Sequence, residues 1–216
     1  MTHPYIAALD LGRERDHSAL AIVERRVIPL GFDPVYFCQR TECQVWLREL
    51  VRFPLGTPYR EVVGSVSQRL HAAPFTGRTP LVVDSTGVGA AVVEMLRDTT
   101  LPLVPVILTG GEHVNYSHSH THAPKQDVVT ALAVLLEQRK FFADRALPLA
   151  SAFLREMETF QARSLPSGRV RLQARREADH DDLVMAVALA SWQAVRQWPE
   201  ILRQDPLPRP SEAFYL

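Results

Sequence analysis

Residues 180–192, HDDLVMAVALASW, limit the fold of this chain more than any other stretch. After the acids Asp181 and Asp182 the segment is almost entirely apolar, so it is too long for an ordinary strand and too short to span a membrane. It therefore predicts a buried helix over residues 181–196. Two carboxylates at the start of a buried helix either cap that helix or hold a ligand.

The rest of the chain alternates predicted strands and helices. Apolar or alternating runs predict strands at YIAALD, SALAIVE, QVWLRELVRF, PLVVD, LPLVPVIL and GRVRLQA. Helical spacing predicts helices at TPYREVVGSVSQRL, GVGAAVVEMLRD, PKQDVVTALAVLLEQRK and LPLASAFLREMETFQAR. This order indicates an α/β fold, a sheet with helices on its faces, in one domain over residues 1–196. Residues 197–216 contain four prolines and lose periodicity, which predicts a separate C-terminal tail.

Charge and cysteine usage narrow the functional classes. The formal net charge is zero, so any binding to nucleic acid needs a local basic patch. Cys38 and Cys43 have neither metal-ligand nor disulfide spacing, which favours reduced cysteines. The N-terminus lacks the features of a signal peptide, and no segment is apolar for long enough to cross a membrane. We therefore expect a cytoplasmic protein with no membrane contact.

Two predicted strands end in an aspartate, and glycine follows each acid within three residues. Ligands of open α/β sheets bind beyond the carboxyl ends of the strands, where Asp10 and Asp84 would meet Asp181 or Asp182. Clustered carboxylates repel one another, and a hard cation such as Mg²⁺ relieves that repulsion. Two ions about 3.5–4 Å apart can activate water and stabilise the leaving oxygen of a phosphodiester. Taken singly, each acid has an ordinary explanation: an aspartate after a strand is typical of a turn, and an aspartate at the start of a helix is typical of a cap.

Three motifs in this order are similar to one known family. The segments ALDLGRERDHSALAIVE, LVVDSTGVGAAVVEMLR and HDDLVMAVALASW resemble the C-terminal nuclease domain of the phage terminase large subunit, over about residues 4–195. The resemblance implies a ribonuclease H-like mixed sheet and a double-strand DNA endonuclease that uses Mg²⁺ or Mn²⁺, with two ions expected. It implies Asp10, Asp84 and Asp181 as catalytic metal ligands, Asp182 as a close fourth, and Asp16 as a supporting acid.

The resemblance also implies partners and a setting. We expect double-stranded DNA as substrate, and an ATPase motor, a portal or a small terminase subunit as protein partners, in the cytoplasm of a host cell. The sequence has no G-x-x-x-x-G-K-[ST] loop, so the motor of a full terminase is not expected within it.

A basic segment precedes the last helix. Residues 163–176, RSLPSGRVRLQARR, contain no acid and lead toward Asp181. If RVRLQA is a strand, alternation turns its arginines outward, where they can bind phosphates. The predicted DNA-binding residues are Arg169, Arg171, Arg175, Arg176 and, in the candidate helix over residues 124–140, Lys125.

A histidine-rich stretch has two interpretations. His118, His120 and His122 would share one face of a strand, which is a pattern of metal ligands. We favour a polar hairpin at the edge of the sheet.

Two other functional classes compete with the nuclease. LDLG, SALAIVE and DSTGVG resemble the phosphate loops of actin-like ATPases, so the chain could be a nucleotide-binding fragment of that class. It could also be a catalytically silent module for DNA binding or assembly. Binding of ATP would distinguish the first class, and absence of DNA cleavage the second.

Overall fold

The computed structural model describes residues 4–12, 16–35, 37–164, 170–174 and 181–196, with backbone alone for 161–164 and 170–174. The strands are β1 (Tyr5–Asp10), β2 (Ala19–Asp33), β3 (Cys38–Arg52), β4 (Leu81–Asp84), β5 (Leu103–Thr109), β6 (Asn115–Tyr116), β7 (Thr121–Pro124), β8 (Phe141–Ala143), β9 (Phe160–Ser164) and β10 (Val170–Ala174). The helices are α1 (Tyr59–His71), α2 (Gly89–Arg97), α3 (Lys125–Glu137), α4 (Ala150–Thr159) and α5 (Asp182–Arg196).

The main sheet has eight strands in the order β6-β7-β5-β4-β1-β2-β3-β8. Strand β2 is antiparallel to both β1 and β3, whereas β4, β5 and β7 run parallel to β1. Strands β9 and β10 pair separately as an antiparallel ribbon. The mixed sheet confirms the predicted α/β class, and the parallel strands bring the carboxyl ends of β1 and β4 to one edge.

Alternation along β1 separates two apolar layers. Ile6 and Ala8 pack into the layer that contains α3, α4 and α5, whereas Ala7 and Leu9 pack into the layer of α1 and α2. Helices therefore cover both faces, as predicted. Helix α5 is buried on nearly every side, with residues 182–192 all buried, so the buried-helix interpretation is confirmed.

Strands β2 and β3 are longer than their sequence patterns predicted. The predicted segments covered residues 18–24 and 44–53, but β2 runs on to Asp33 and β3 begins at Cys38. The extensions pair with each other and leave side chains such as Leu30 and Phe32 exposed. Because these side chains are not buried on one face, the extensions lack the pattern by which a strand is recognised. Cys38 and Cys43 are both free cysteines of β3.

Two short strands were not predicted. Strand β8 has three residues and pairs with β3 at the edge of the sheet. Strand β9 takes up residues 160–163, which were predicted as the end of a helix, so that part of the helix prediction is wrong. Such short segments show no measurable periodicity, and only their pairing partners make them strands.

The histidine-rich stretch forms the predicted edge hairpin of β6 and β7. Of its three histidines, His122 lies in a strand, whereas His118 and His120 belong to the turn that joins the two strands. The prediction that all three share one strand face is therefore wrong. The amide of Ser117 donates to the carbonyl of His120 across 2.9 Å and closes this turn.

No helix in the described ranges is both long and apolar enough to cross a membrane. Residues 197–216 lie outside those ranges, so the division between domain and tail stays a prediction.

Candidate functional site

Asp10 and Asp84 lie side by side at the carboxyl edge of the sheet. Leu9 of β1 is opposite Val83 of β4, and each acid follows directly. Neighbouring strands are about 4.8 Å apart, so the two backbones are close at this level. Ala8 and Val82 both pack in the α5 layer, and alternation directs each acid, two residues further along its strand, toward that same layer. Both acids are half-buried.

The turn after β4 orients Asp84. The amide of Thr86 donates to Oδ1 of Asp84 across 2.9 Å. Helix α2 then begins at Gly89, where a Cβ atom would lie 1.9 Å from the backbone oxygen of Asp84. Only glycine permits this close approach, so the GVG segment is a helix entry beside an acid, as predicted.

The turn after β1 is held from two sides. The amide of Gly12 donates to Oγ of Ser18 across 3.2 Å, and the Tyr59 hydroxyl donates to the carbonyl of Gly12 across 2.9 Å. A Cβ atom on Gly12 would lie 2.2 Å from the backbone oxygen of Asp16. Asp16 is exposed in this turn, so the structure places it near the segment that follows Asp10.

Asp181 reaches the same side of the sheet from the start of α5. Its carbonyl accepts the amide of Met185 across 2.9 Å, which is the first hydrogen bond of the helix. Lys125, the first residue of α3, lies with Nζ 4.0 Å from Oδ2 of Asp181. The lysine predicted to bind DNA is thus placed beside the acids.

The three carboxylates interact electrostatically. Burial raises the pKa of Asp10 well above its usual value; the charges of Asp84, Asp181 and, least, Asp182 raise it further, and the charge of Lys125 lowers it. Burial also raises the pKa of Asp84, although its hydrogen bonds with Thr86 and the charge of Lys125 oppose that rise. Ionising Asp10 therefore costs free energy in the absence of a cation.

The donor set is suited to a hard divalent cation. It consists of carboxylate oxygens that repel one another, the ligand type that Mg²⁺ and Mn²⁺ prefer. Among the residues that the structure describes, no three His, Cys, Asp or Glu side chains have the arrangement of a complete metal-ligand set. Asp84 and Asp181 are close enough to Asp10 to raise its pKa. Within the described part of the chain, the carboxylates are not arranged as ligands around a single metal position.

Asp182 makes different contacts from Asp181. Its Oδ2 accepts from Nε of Arg52 across 2.8 Å, and Arg52 also forms an ion pair with Glu156 of α4. Sequence reasoning missed both partners. A signal existed for Glu156, because it lies one helical turn after the buried Phe153 and is therefore a charge on the apolar side of α4.

The predicted basic segment is described only in part. Residues 170–174 of the predicted strand GRVRLQA form β10, which pairs with β9. The side chain of Arg171 in β10 lies outside what the structure describes, as do Arg169, Arg175 and Arg176 altogether. Their role in DNA binding stays a prediction.

The fold matches that of viral terminase nucleases. The large terminase nuclease from thermophilic phage G20c, with bound magnesium, superposes with a TM-score of 0.59 at 23% identity, covering 88% of this chain and 82% of that chain. The nuclease domain of the large terminase subunit gp2 of bacterial virus Sf6 gives 0.59 at 14% identity, covering 88% of each chain. The human cytomegalovirus terminase nuclease domain, Mn soaked and inhibitor bound, gives 0.53 at 11% identity, covering 87% and 81%.

These likenesses confirm the resemblance at the level of the fold, which is the ribonuclease H-like fold of those domains. No protein-family model and no curated protein sequence matches this chain.

Proposed function

We propose that this chain is a divalent-metal-dependent endonuclease that hydrolyses double-stranded DNA during viral genome packaging. The observation that carries the proposal is the gathering of Asp10, Asp84 and Asp181 on one side of the sheet edge. Two of these acids end adjacent parallel strands, and the third opens the helix that packs over them. The fold around them is that of terminase nuclease domains whose structures hold magnesium or manganese.

Each acid has a defined part in this proposal. Asp10 is central, because the charges of both Asp84 and Asp181 act on it. Asp84 is held in orientation by the amide of Thr86. The ammonium of Lys125 offsets part of the negative charge of the cluster before a cation enters. Asp10, Asp84 and Asp181 would hold Mg²⁺ or Mn²⁺, which would supply an activated water and positive charge for the scissile phosphate, with two ions expected.

Positively charged side chains outside the acidic cluster would bind the DNA. We assign this part to Arg169, Arg171, Arg175 and Arg176, whose positive charge would bind phosphates without reading base sequence. The reaction would take place in the cytoplasm of an infected host cell. There the chain would work with the packaging machinery, such as an ATPase motor, a portal or a small terminase subunit.

Cleavage of supercoiled plasmid tests the proposal. Wild type should nick or linearise the plasmid in Mn²⁺ or Mg²⁺ and not in EDTA. Asp10→Asn, Asp84→Asn and Asp181→Asn should each abolish nearly all cleavage, because each removes a ligand charge while keeping the side-chain shape. The control is Glu94→Gln, which alters an exposed carboxylate of α2 that pairs with Arg97 and should leave cleavage unchanged.

Two results would overturn the proposal. Wild type that binds DNA but never cleaves it with either ion would be a silent DNA-binding module. ATP binding without cleavage would favour the actin-like interpretation.

A further inference from the structure

We propose that Arg52, Glu156 and Asp182 form a buried anchor that positions Asp181 against Asp10, so that Asp182 serves the anchor and Asp181 the metal. This inference rests on the proposed function, because it assigns different parts to two adjacent acids of the same site. We call the three residues the α5 anchor.

The α5 anchor joins three elements that are far apart in the chain. Arg52 ends β3, Glu156 lies in α4, and Asp182 is the first residue of α5. Arg52 contacts both carboxylates, with its Nε atom 2.8 Å from Oδ2 of Asp182. The side chains of Arg52, Glu156 and Asp182 are only 19%, 8% and 5% exposed. Ion pairs removed from water to this degree hold their geometry more firmly than surface pairs.

Glu156 takes the place of a helix N-cap residue for α5. Its Oε2 accepts the amides of Leu183 across 3.0 Å and Val184 across 3.3 Å. These are first-turn amides of α5, the ones that an aspartate in the position of Asp181 commonly accepts. Since a carboxylate from α4 binds them, capping does not require the carboxylate of Asp181. Oδ2 of Asp181 lies 4.0 Å from Nζ of Lys125, and the charge of Asp181 acts on Asp10.

The α5 anchor has one positive and two negative side chains. Two carboxylates face one guanidinium, and the positive end of the α5 helix dipole compensates part of the remaining negative charge. Each carboxylate oxygen committed to Arg52 or to an amide is less able to bind a cation. For Asp182 this holds for Oδ2, which accepts from Arg52, whereas no hydrogen bond within the described residues reaches its buried Oδ1.

Arg52 of the α5 anchor lies at the same level of the sheet as the acids, on a nearby strand. Asp10 is opposite Ala19 of β2, and Ala19 is opposite Arg52 of β3. Asp84 lies at this level on β4, the strand on the other side of β1. Arg52 thus lies two strands from Asp10, roughly 10 Å by strand spacing. Tying the first turn of α5 to Arg52 sets the position of that turn relative to Asp10.

The two acids differ in position and in partners. Asp182 is the first helical residue and Asp181 precedes the helix, and the two side chains have different partners, Arg52 for Asp182 and Lys125 for Asp181. Loosening the α5 anchor would let Asp181 move relative to Asp10 and Asp84, which would weaken metal binding without removing a ligand.

The experiment compares the Mn²⁺ requirement of matched variants. Asp182→Asn, Glu156→Gln and Arg52→Lys should raise the Mn²⁺ concentration for half-maximal plasmid cleavage by about 10–100-fold, the usual effect of altering groups that orient metal ligands. Their rates at saturating Mn²⁺ should stay within a few-fold of wild type. Asp181→Asn should instead remain inactive at every Mn²⁺ concentration. Calorimetric titration with Mn²⁺ should show the same order of affinities.

A stability control separates positioning from general weakening of the fold. Val62 is fully buried in α1, in the opposite core layer. Val62→Ala leaves a cavity there and should lower the melting temperature, but the Mn²⁺ requirement measured below that temperature should not change.

Amide hydrogen exchange tests the α5 anchor without metal. Exchange of the Leu183 and Val184 amides should accelerate in Glu156→Gln, whereas the amides of α1 should keep their protection. If Arg52→Lys does not fold, the other two variants carry the comparison.

Three outcomes overturn the inference. In the first, Asp182→Asn is as inactive at saturating Mn²⁺ as Asp181→Asn. In the second, the folded variants need no more Mn²⁺ than wild type. In the third, the Leu183 and Val184 amides of Glu156→Gln exchange at the wild-type rate. Wild type that fails to cleave DNA overturns the proposed function instead, and hydrogen exchange then still decides whether the α5 anchor exists.

Discussion

Arg52 donates from Nε to Oδ2 of Asp182 across 2.8 Å, although 130 positions of sequence separate the two residues. This hydrogen bond joins the end of β3 to the first turn of the central helix. It gives the two acids that begin this buried helix different partners: Asp182 pairs with Arg52, and Asp181 lies beside Lys125.

The buried and surface ion pairs of this chain should differ sharply in their effect on stability. Arg52→Met leaves two buried carboxylates without their cation and should lower the free energy of unfolding by about 3–5 kcal/mol. Arg97→Ala breaks a pair whose side chains are 49% and 66% exposed, so it should cost at most about 1 kcal/mol. Urea unfolding measures both. Equal destabilisation by the two substitutions would contradict a structural role for the buried pair.

Divalent ions should stabilise the folded chain through the acids. At a free Mn²⁺ concentration about 100 times Kd, binding to the folded state alone adds about 2.7 kcal/mol, and a rise in melting temperature reports it. Asp84→Asn should reduce the rise, and a double replacement of Asp10 and Asp84 should abolish it. If the double variant keeps the full rise, the ions bind elsewhere, and His122→Ala becomes the informative variant.

Stability should depend on pH through Asp10 when no divalent ion is present. Burial and the charges of Asp84, Asp181 and Asp182 raise its folded pKa above an unfolded value of about 3.9, against a smaller opposing effect of Lys125. A raised carboxyl pKa stabilises the fold below the unfolded pKa, and that contribution disappears as pH rises through the folded pKa. Asp10→Asn should therefore become more stable than wild type as the pH is raised toward neutrality. Urea unfolding in EDTA over this range measures the difference, and saturating Mn²⁺ should remove it.

Two glycine substitutions should have opposite effects. Gly89→Ala places a Cβ atom against the backbone oxygen of Asp84, so it should distort the turn, destabilise the fold and impair cleavage. Gly64→Ala lies within α1 with nothing within 4 Å of the new Cβ, and should stabilise by about 0.5–1 kcal/mol. Thermal unfolding and plasmid cleavage of both variants test the pair. Full cleavage by a stable Gly89→Ala variant would show that Asp84 tolerates displacement.

The basic segment should govern DNA affinity and not metal binding. Arg169→Ala combined with Arg171→Ala should weaken DNA binding uniformly across sequences and flatten its salt dependence, by roughly one unit of slope for each phosphate that is no longer bound. The Mn²⁺-induced rise in melting temperature should survive in this variant. Arg97→Ala is the matched control on the exposed side of α2. An unaltered affinity and salt slope would mean that DNA follows another path.

Local patterns sufficed for much of the fold. Short apolar runs identified β1 and β4, whose residues are buried on both faces, and the period of 3.6 identified α1 and α3, because burial of one helix face leaves a repeat in the sequence itself. The unbroken apolar run of α5 likewise required a helix enclosed by other elements. The extended ribbon of β2 and β3 and the short β8 left no such repeat, since pairing alone makes them strands.

In the candidate site, too, the sequence determined some features and the tertiary structure determined others. The sequence determined which acids end strands and which begin the buried helix, and alternation from Ala8 and Val82 determines the side toward which Asp10 and Asp84 point. The partners of the other charges were decided only by tertiary structure. A hydrophobic pattern specifies that a face is buried but not against what, whereas an ion pair depends on angstrom-scale contacts between segments far apart in the chain. Packing of β3, α4 and α5 therefore decided that Arg52 pairs with both Glu156 and Asp182, whereas Asp181 lies beside Lys125.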